Sequence, residues 1–221
     1  MGIEELKSPE TSEGKVARLF EMNPAEKEAL QSRIEKFGGM VQVFIHPDFE
    51  AYAAYADARG EKDLAEQGFW ADAVFKNILS SQSDRVPPIF VFEHAKAAEK
   101  FEEKERQLAD LAAQPVYVIR TEYADPTPLS PGTESTYAWN TLPISDEERA
   151  GAWDAVISEL RNLGVKKILI GGAELAVSKE PGRDHAGCLG IAMGKLESFD
   201  VKLSTITWPE TNSKKDPEHK P

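Results

Sequence analysis

Residues 40–46 read "MVQVFIH", a run rich in β-branched and aromatic side chains that leads into "PDFE" at 47–50. Seven such residues are too few for an independent helix, so the run reads as a buried strand. Upstream, "NPAEKEALQSRIEKFGG" has both ends of a helix marked. Asn23 can cap, Pro24 suits the first helical position, Glu26 stands third, and Gly38 can close the end. Downstream, "EKDLAEQGFWADAVFKNILSSQ" places Leu64, Ala71, Val74, Phe75, Ile78 and Leu79 at helical spacing.

The alternation then repeats. "VPPIFVFEH" is a second strand, with its prolines confined to the start, where a missing donor is tolerated. "AKAAEKFEEKERQLADLAA" is built of strong helix formers, and "PVYVIRTEY" is a third strand. The stretch 124–143 is rich in proline, threonine and serine, a composition and length suited to a lid or a binding loop. Ser145 and Glu148 form a capping-box pattern that opens "SDEERAGAWDAVISELRNLG". "VKKILIGG", "GCLGIAMGKLES" and "DVKLSTITW" complete the series as strand, helix and strand.

Strands alternating with helices make an α/β fold, expected here as a three-layer Rossmann-like sandwich around a mostly parallel sheet of about five strands. The expected organisation is a flexible N-terminus at 1–15, a single α/β domain at 16–208 with an N-terminal helix at 23–37, and a flexible polar tail at 209–221. Parallel strands with right-handed crossovers bring every strand's C-terminal end to one edge, where ligands of open sheets bind.

Composition narrows the partners. A chain of 221 residues with 41% hydrophobic and 29% charged side chains is ordinary for a soluble domain. A net charge of −12 makes nucleic-acid backbones and anionic membranes poor partners. No apolar run approaches the ~20 residues that span a bilayer, and the N-terminal stretch lacks a signal peptide's apolar core. The single cysteine excludes an internal disulfide, and a cytoplasmic setting is expected. A small-molecule ligand is the expected partner, with self-association into a homo-oligomer left open; no cofactor is specified.

The strand ends collect polar chemistry. His46, Asp48 and Glu50 follow the first strand, Glu93 and His94 the second, and Arg120, Thr121 and Glu122 the third. Imidazoles beside carboxylates are the groups of proton transfer. His46, Asp48, His94 and His185 also include side chains suited to zinc, but no compact ligand motif joins them and no metal is assigned. Gly171, Gly172 and Glu174 end the fourth strand, and Gly187 precedes the next helix. Exposed N–H groups there, with Arg183 nearby, suit an anion. Cys188 stands near that helix start, where a thiol's pKa falls; the plainer alternative is a small buried cysteine packing helix on sheet.

The segment "LGVKKILIGGAEL…GCLGIAMGKLESFDVKLSTIT" resembles the last part of the isochorismatase-like cysteine hydrolases. The resemblance implies a parallel sheet between helices, Cys188 as nucleophile and Asp48 as base on a C–N bond. The family also uses a lysine between these two; none occurs from Glu105 to Val165, and Arg120 is the nearest cation. Three functions follow as expectations. The first is an enzyme or binding domain for a small polar or anionic metabolite or nucleotide. It would be held by Gly171, Gly172, Glu174, Arg183, Gly187, His94, Arg120 and Glu122, with His46 and Asp48 facing it. The second is the cysteine hydrolase, and the third a non-catalytic protein-interaction module.

Overall fold

The computed structural model describes residues 16–93, 98–120, 146–175 and 188–209. Six strands form one sheet: β1 (Val16–Arg18), β2 (Met40–Ile45), β3 (Ile89–Glu93), β4 (Val116–Arg120), β5 (Lys167–Leu175) and β6 (Asp200–Pro209). Their order across the sheet is β1-β4-β3-β2-β5-β6, and every neighbouring pair is parallel. The chain thus steps outward from β2 through β3 to β4, then returns to the other side of β2 for β5 and β6. Strand order reverses between β2 and β5.

Among the described residues six α-helices cover both faces. α1 (Pro24–Lys36), α5 (Asp146–Asn162) and α6 (Cys188–Lys195) bury Leu30, Ile34, Trp153, Leu160 and Leu189 against one face, with Leu196 just after α6. α2 (Phe49–Ala58), α3 (Lys62–Leu79) and α4 (Ala98–Leu111) bury Phe49, Phe75, Leu79 and Leu108 against the other. β2 divides its side chains accordingly: Val41, Val43 and Ile45 belong to the first core and Phe44 to the second. That is why the strand reads as an apolar run rather than as an alternation. The result is a three-layer α/β sandwich of the Rossmann-like kind.

The marked helix start at residue 23 is a full capping box. Glu26 N donates to Asn23 Oδ1 at 3.0 Å, and Asn23 N donates to Glu26 Oε2 at 2.8 Å. Among the described residues the sheet has six strands where about five were expected; the additional one, β1, lies at the edge beside β4, with Val16 opposite Val116. Three residues carry no periodicity to read. Helix α2, Ala-rich and ten residues long, was also not anticipated. The stretch 124–143 and the two chain ends lie outside the described residues. Among the described residues no helix is long and apolar enough to cross a membrane.

Gly171 and Gly172 have a packing role in β5. A Cβ on Gly171 would lie 2.5 Å from Ile206 O, and one on Gly172 2.1 Å from Ile45 O. Gly172 also has φ 131°, which side-chain-bearing residues resist. Both obstacles are main-chain atoms of neighbouring strands, so nothing can swing aside. Gly172→Ala should therefore destabilise the domain by on the order of 3 kcal/mol in urea unfolding. Gly194→Ala is the control: its Cβ would meet nothing within 4 Å on α6, and it should be neutral or stabilise by up to about 1 kcal/mol. Equal midpoints for the two variants would refute this account of β5.

Candidate functional site

The chain leaves β2 through a constrained turn. His46 is buried, holds φ 44°, and is followed by Pro47. A left-handed conformation is unusual for histidine, and a following proline restricts it further. The turn is held by His46 N donating to Phe92 O at 2.9 Å and Asp48 N donating to His46 O at 2.8 Å. It delivers Asp48 to the start of α2.

Aspartate is a favoured helix cap, yet the Asp48 side chain makes no capping bond. Its Oδ2 accepts instead from Lys104 Nζ, 2.5 Å away on α4. The same ammonium lies 3.2 Å from Oε2 of Glu93, the last residue of β3. Lys104 therefore joins carboxylates from two strand ends. It does so beside Leu108 and Leu111 of α4, four and seven residues further on, which line the same cavity.

Burial decides the electrostatics. Glu93 is 3% exposed, and loss of water pushes its pKa from 4.5 to about 7. Lys104 opposes that rise, while the charges of Asp48 and Glu105 add to it. Burial alone would lower the Lys104 pKa, but the facing carboxylates Glu93 and Asp48 outweigh it and hold the ammonium above its ordinary value. Near neutrality, then, a permanently charged lysine stands beside a carboxyl that can hold or release a proton.

The three groups line a cavity of about 350 Å³ over the ends of β2 and β3. Phe49, Phe75, Leu108 and Leu111 supply apolar wall. A second triplet borders it, with Lys76 Nζ 2.7 Å from Asp72 Oδ2 and 3.0 Å from Glu50 Oε2. The lining carries four carboxylates, Asp48, Glu50, Asp72 and Glu93, against two lysines.

The expected site residues are distributed differently. Asp48 lines this cavity, whereas His46, Gly171 and Gly172 are not among its described lining residues. Those three stand at the reversal point, where Ile45 pairs with Gly172. Cys188 is the first residue of α6, which packs on the opposite face from α2. Arg120 ends β4 and Glu174 lies in β5. His94, Glu122, Arg183 and Gly187 fall outside the described residues. Among the described residues, no three histidine, cysteine or acidic side chains are grouped to hold a metal. Lys104 was missed because it is one of many charges on its helix; its place among apolar residues was the available signal. Glu93 was noted at a strand end without being singled out.

No family model, curated protein or solved structure matches the chain.

The raised Glu93 pKa has a definite thermodynamic sign. Between about pH 4.5 and 7 the folded chain keeps a proton that the unfolded chain releases, so wild-type stability falls as pH rises through that window. Glu93→Gln removes the titration. The stability of the variant relative to wild type should improve by on the order of 3 kcal/mol between pH 4 and 7.5. Parallel urea curves at several pH values would show it; a difference that stays constant with pH would mean that Glu93 titrates normally.

Proposed function

We propose that the α2–α4 cavity binds a small organic molecule with an apolar body and a polar head, and that Glu93, Lys104 and Asp48 exchange a proton with that head. The observation that supports this reading is the nearly enclosed Glu93 carboxyl at the cavity wall, with a pKa near 7 and an ammonium beside it. A general acid or base works best when its pKa lies near the working pH. Protonated Glu93 passes its proton to the lone pair of a neutral amine head, which becomes an ammonium, and the resulting Glu93 carboxylate is stabilised by the charge of Lys104. Asp48 holds the ammonium in place and balances part of its charge.

The cavity is at the small end of ligand pockets. Its surplus of carboxylates favours a neutral or amine-bearing head and disfavours an anion, unlike the phosphate-like ligand suited to the glycines of β5. A cytoplasmic setting goes with this reading, on the grounds of the acidic composition and the single cysteine.

Benzylamine, benzyl alcohol and benzoate share one apolar body and differ in the head. Thermal-shift and calorimetric titrations should rank them amine, then alcohol, with benzoate last. Glu93→Gln should weaken benzylamine about tenfold, near 1.4 kcal/mol. Benzoate binding as well as the amine, or no shift with any of the three, would remove this reading.

A second reading, the cysteine hydrolase, draws support from Lys104. A lysine does reach Asp48, from α4 rather than from the stretch 105–165. β2 and β5 are also neighbours, so the segments leading to Asp48 and Cys188 leave adjacent points of one edge. On this reading Cys188 is the nucleophile and Asp48 its base. Iodoacetamide should then label Cys188 with a rate midpoint well below pH 8, and Asp48→Asn should raise that midpoint. A profile centred near 8.5 and indifferent to Asp48→Asn would rule the hydrolase out.

A further inference from the structure

Helix α4 carries Lys104 beside the apolar side chains of Leu108 and Leu111. Among its described side chains only Leu108 is buried in the core, and Leu111 is 41% exposed. Charged contacts also hold this helix. One of these comes from β1. Arg18 Nε donates to Glu105 Oε1 at 3.0 Å, and Arg18 Nη2 donates to Glu105 Oε2 at 2.9 Å. Glu105 is the residue after Lys104 and is largely covered, its side chain 13% exposed.

We propose that Arg18 is a positioning residue for the cavity: its grip on Glu105 fixes the rotation and height of α4 that present Lys104 between Asp48 and Glu93. The proposal deepens the ligand-binding reading and rests on it for its functional meaning. Two parallel bonds from a planar guanidinium define an orientation as well as a distance, which a single ammonium does not. The strand that supplies Arg18 is only three residues long and pairs with β4 alone. It adds little core of its own; Ala17 and Val16 are only partly buried. What it does add is a cation at the C-terminal edge of the sheet, within reach of α4.

Among the described residues, the charges that act on Glu93 include Lys104 and Glu105 from α4 and Asp48 from the turn after β2, with Arg18 beyond Glu105. Removing Arg18 has two separable effects. It takes the Arg18 charge away from Glu105, and it frees α4 to carry Lys104 away. Both raise the proton affinity of Glu93. Substituting Arg18 and Glu105 together cancels the first effect and leaves the second.

The test is a carboxyl carbon NMR titration of Glu93 in the full chain, for wild type, Arg18→Lys, Arg18→Gln and the double variant Arg18→Gln/Glu105→Gln. The midpoint should move to higher pH by at least about half a pH unit in Arg18→Gln and stay raised in the double variant. Arg18→Lys, which keeps the charge but not the fork, should fall between wild type and Arg18→Gln, and it carries the test if the glutamine variants do not fold. A double variant that returns to the wild-type midpoint or below means that Arg18 acts only by balancing Glu105, and overturns the proposal. So does a midpoint unchanged in every variant while stability falls, which is a purely structural role. The readout needs no ligand: a shifted Glu93 without benzylamine binding leaves the clamp standing and removes the ligand reading, and the reverse pair of results does the opposite.

Discussion

A sheet in which every strand runs the same way, with helices on both faces, leaves the chain few places to put chemistry. The middle strands pair on both sides, and both faces are needed for packing. Side chains that are to meet water or a ligand must stand where strands end. β2 is the hinge of this arrangement because both halves of the sheet grow from it. The contact that lets β5 lie beside it is the bare backbone of Gly172 against Ile45. The strained His46 turn begins one residue later, so the same few residues close the sheet and aim Asp48.

Within that frame the triplet of Asp48, Lys104 and Glu93 is a costly thing to keep. A carboxyl 3% exposed loses most of its hydration, and one ammonium shared with a second carboxylate compensates only in part. The outcome is a group whose proton affinity is set by the fold and not by water. An apolar side chain at position 93 would continue the run of β3, Ile-Phe-Val-Phe, and would avoid the penalty. A glutamate there lowers the stability of the ionised domain in exchange for a titrating group at a cavity wall. Asp48 repeats the pattern on a smaller scale, giving up a helix cap to hold the lysine.

The sheet was legible because its buried strands are long apolar runs between helices of clear period, as at "MVQVFIH" and "IFVFE". The Asn23–Glu26 box could be read three residues apart. What escaped reading is either very short or nonlocal. β1 has three residues, and Val16–Arg18 becomes a strand only because β4 is there to pair with it. α2 has no side-chain cap, its first aspartate being engaged elsewhere. Asp48 was singled out by its place at a strand end, but the lysine that meets it is 56 residues away. The glycines of β5 drew notice as an anion cradle, and the packing reason for them depends on two neighbouring strands that no local pattern reveals.

The position of the cavity also follows from these constraints. The reversal between β2 and β5 is the usual opening in a sheet of this order. Here the Gly172 backbone lies against Ile45 at that point, and the described opening stands one strand over, above β2 and β3. On that side α2 is only ten residues long, and the described part of α4 faces the cavity with Lys104, Gln107, Leu108 and Leu111. A longer α2 or a more apolar α4 would fill the space and strengthen the core. The gap is kept open by helices whose inner faces carry charge, and the charges are held by partners that reach as far as the edge strand β1. Cavity and charge network are thus one feature: the ion pairs take the place of the packing that would otherwise have closed it.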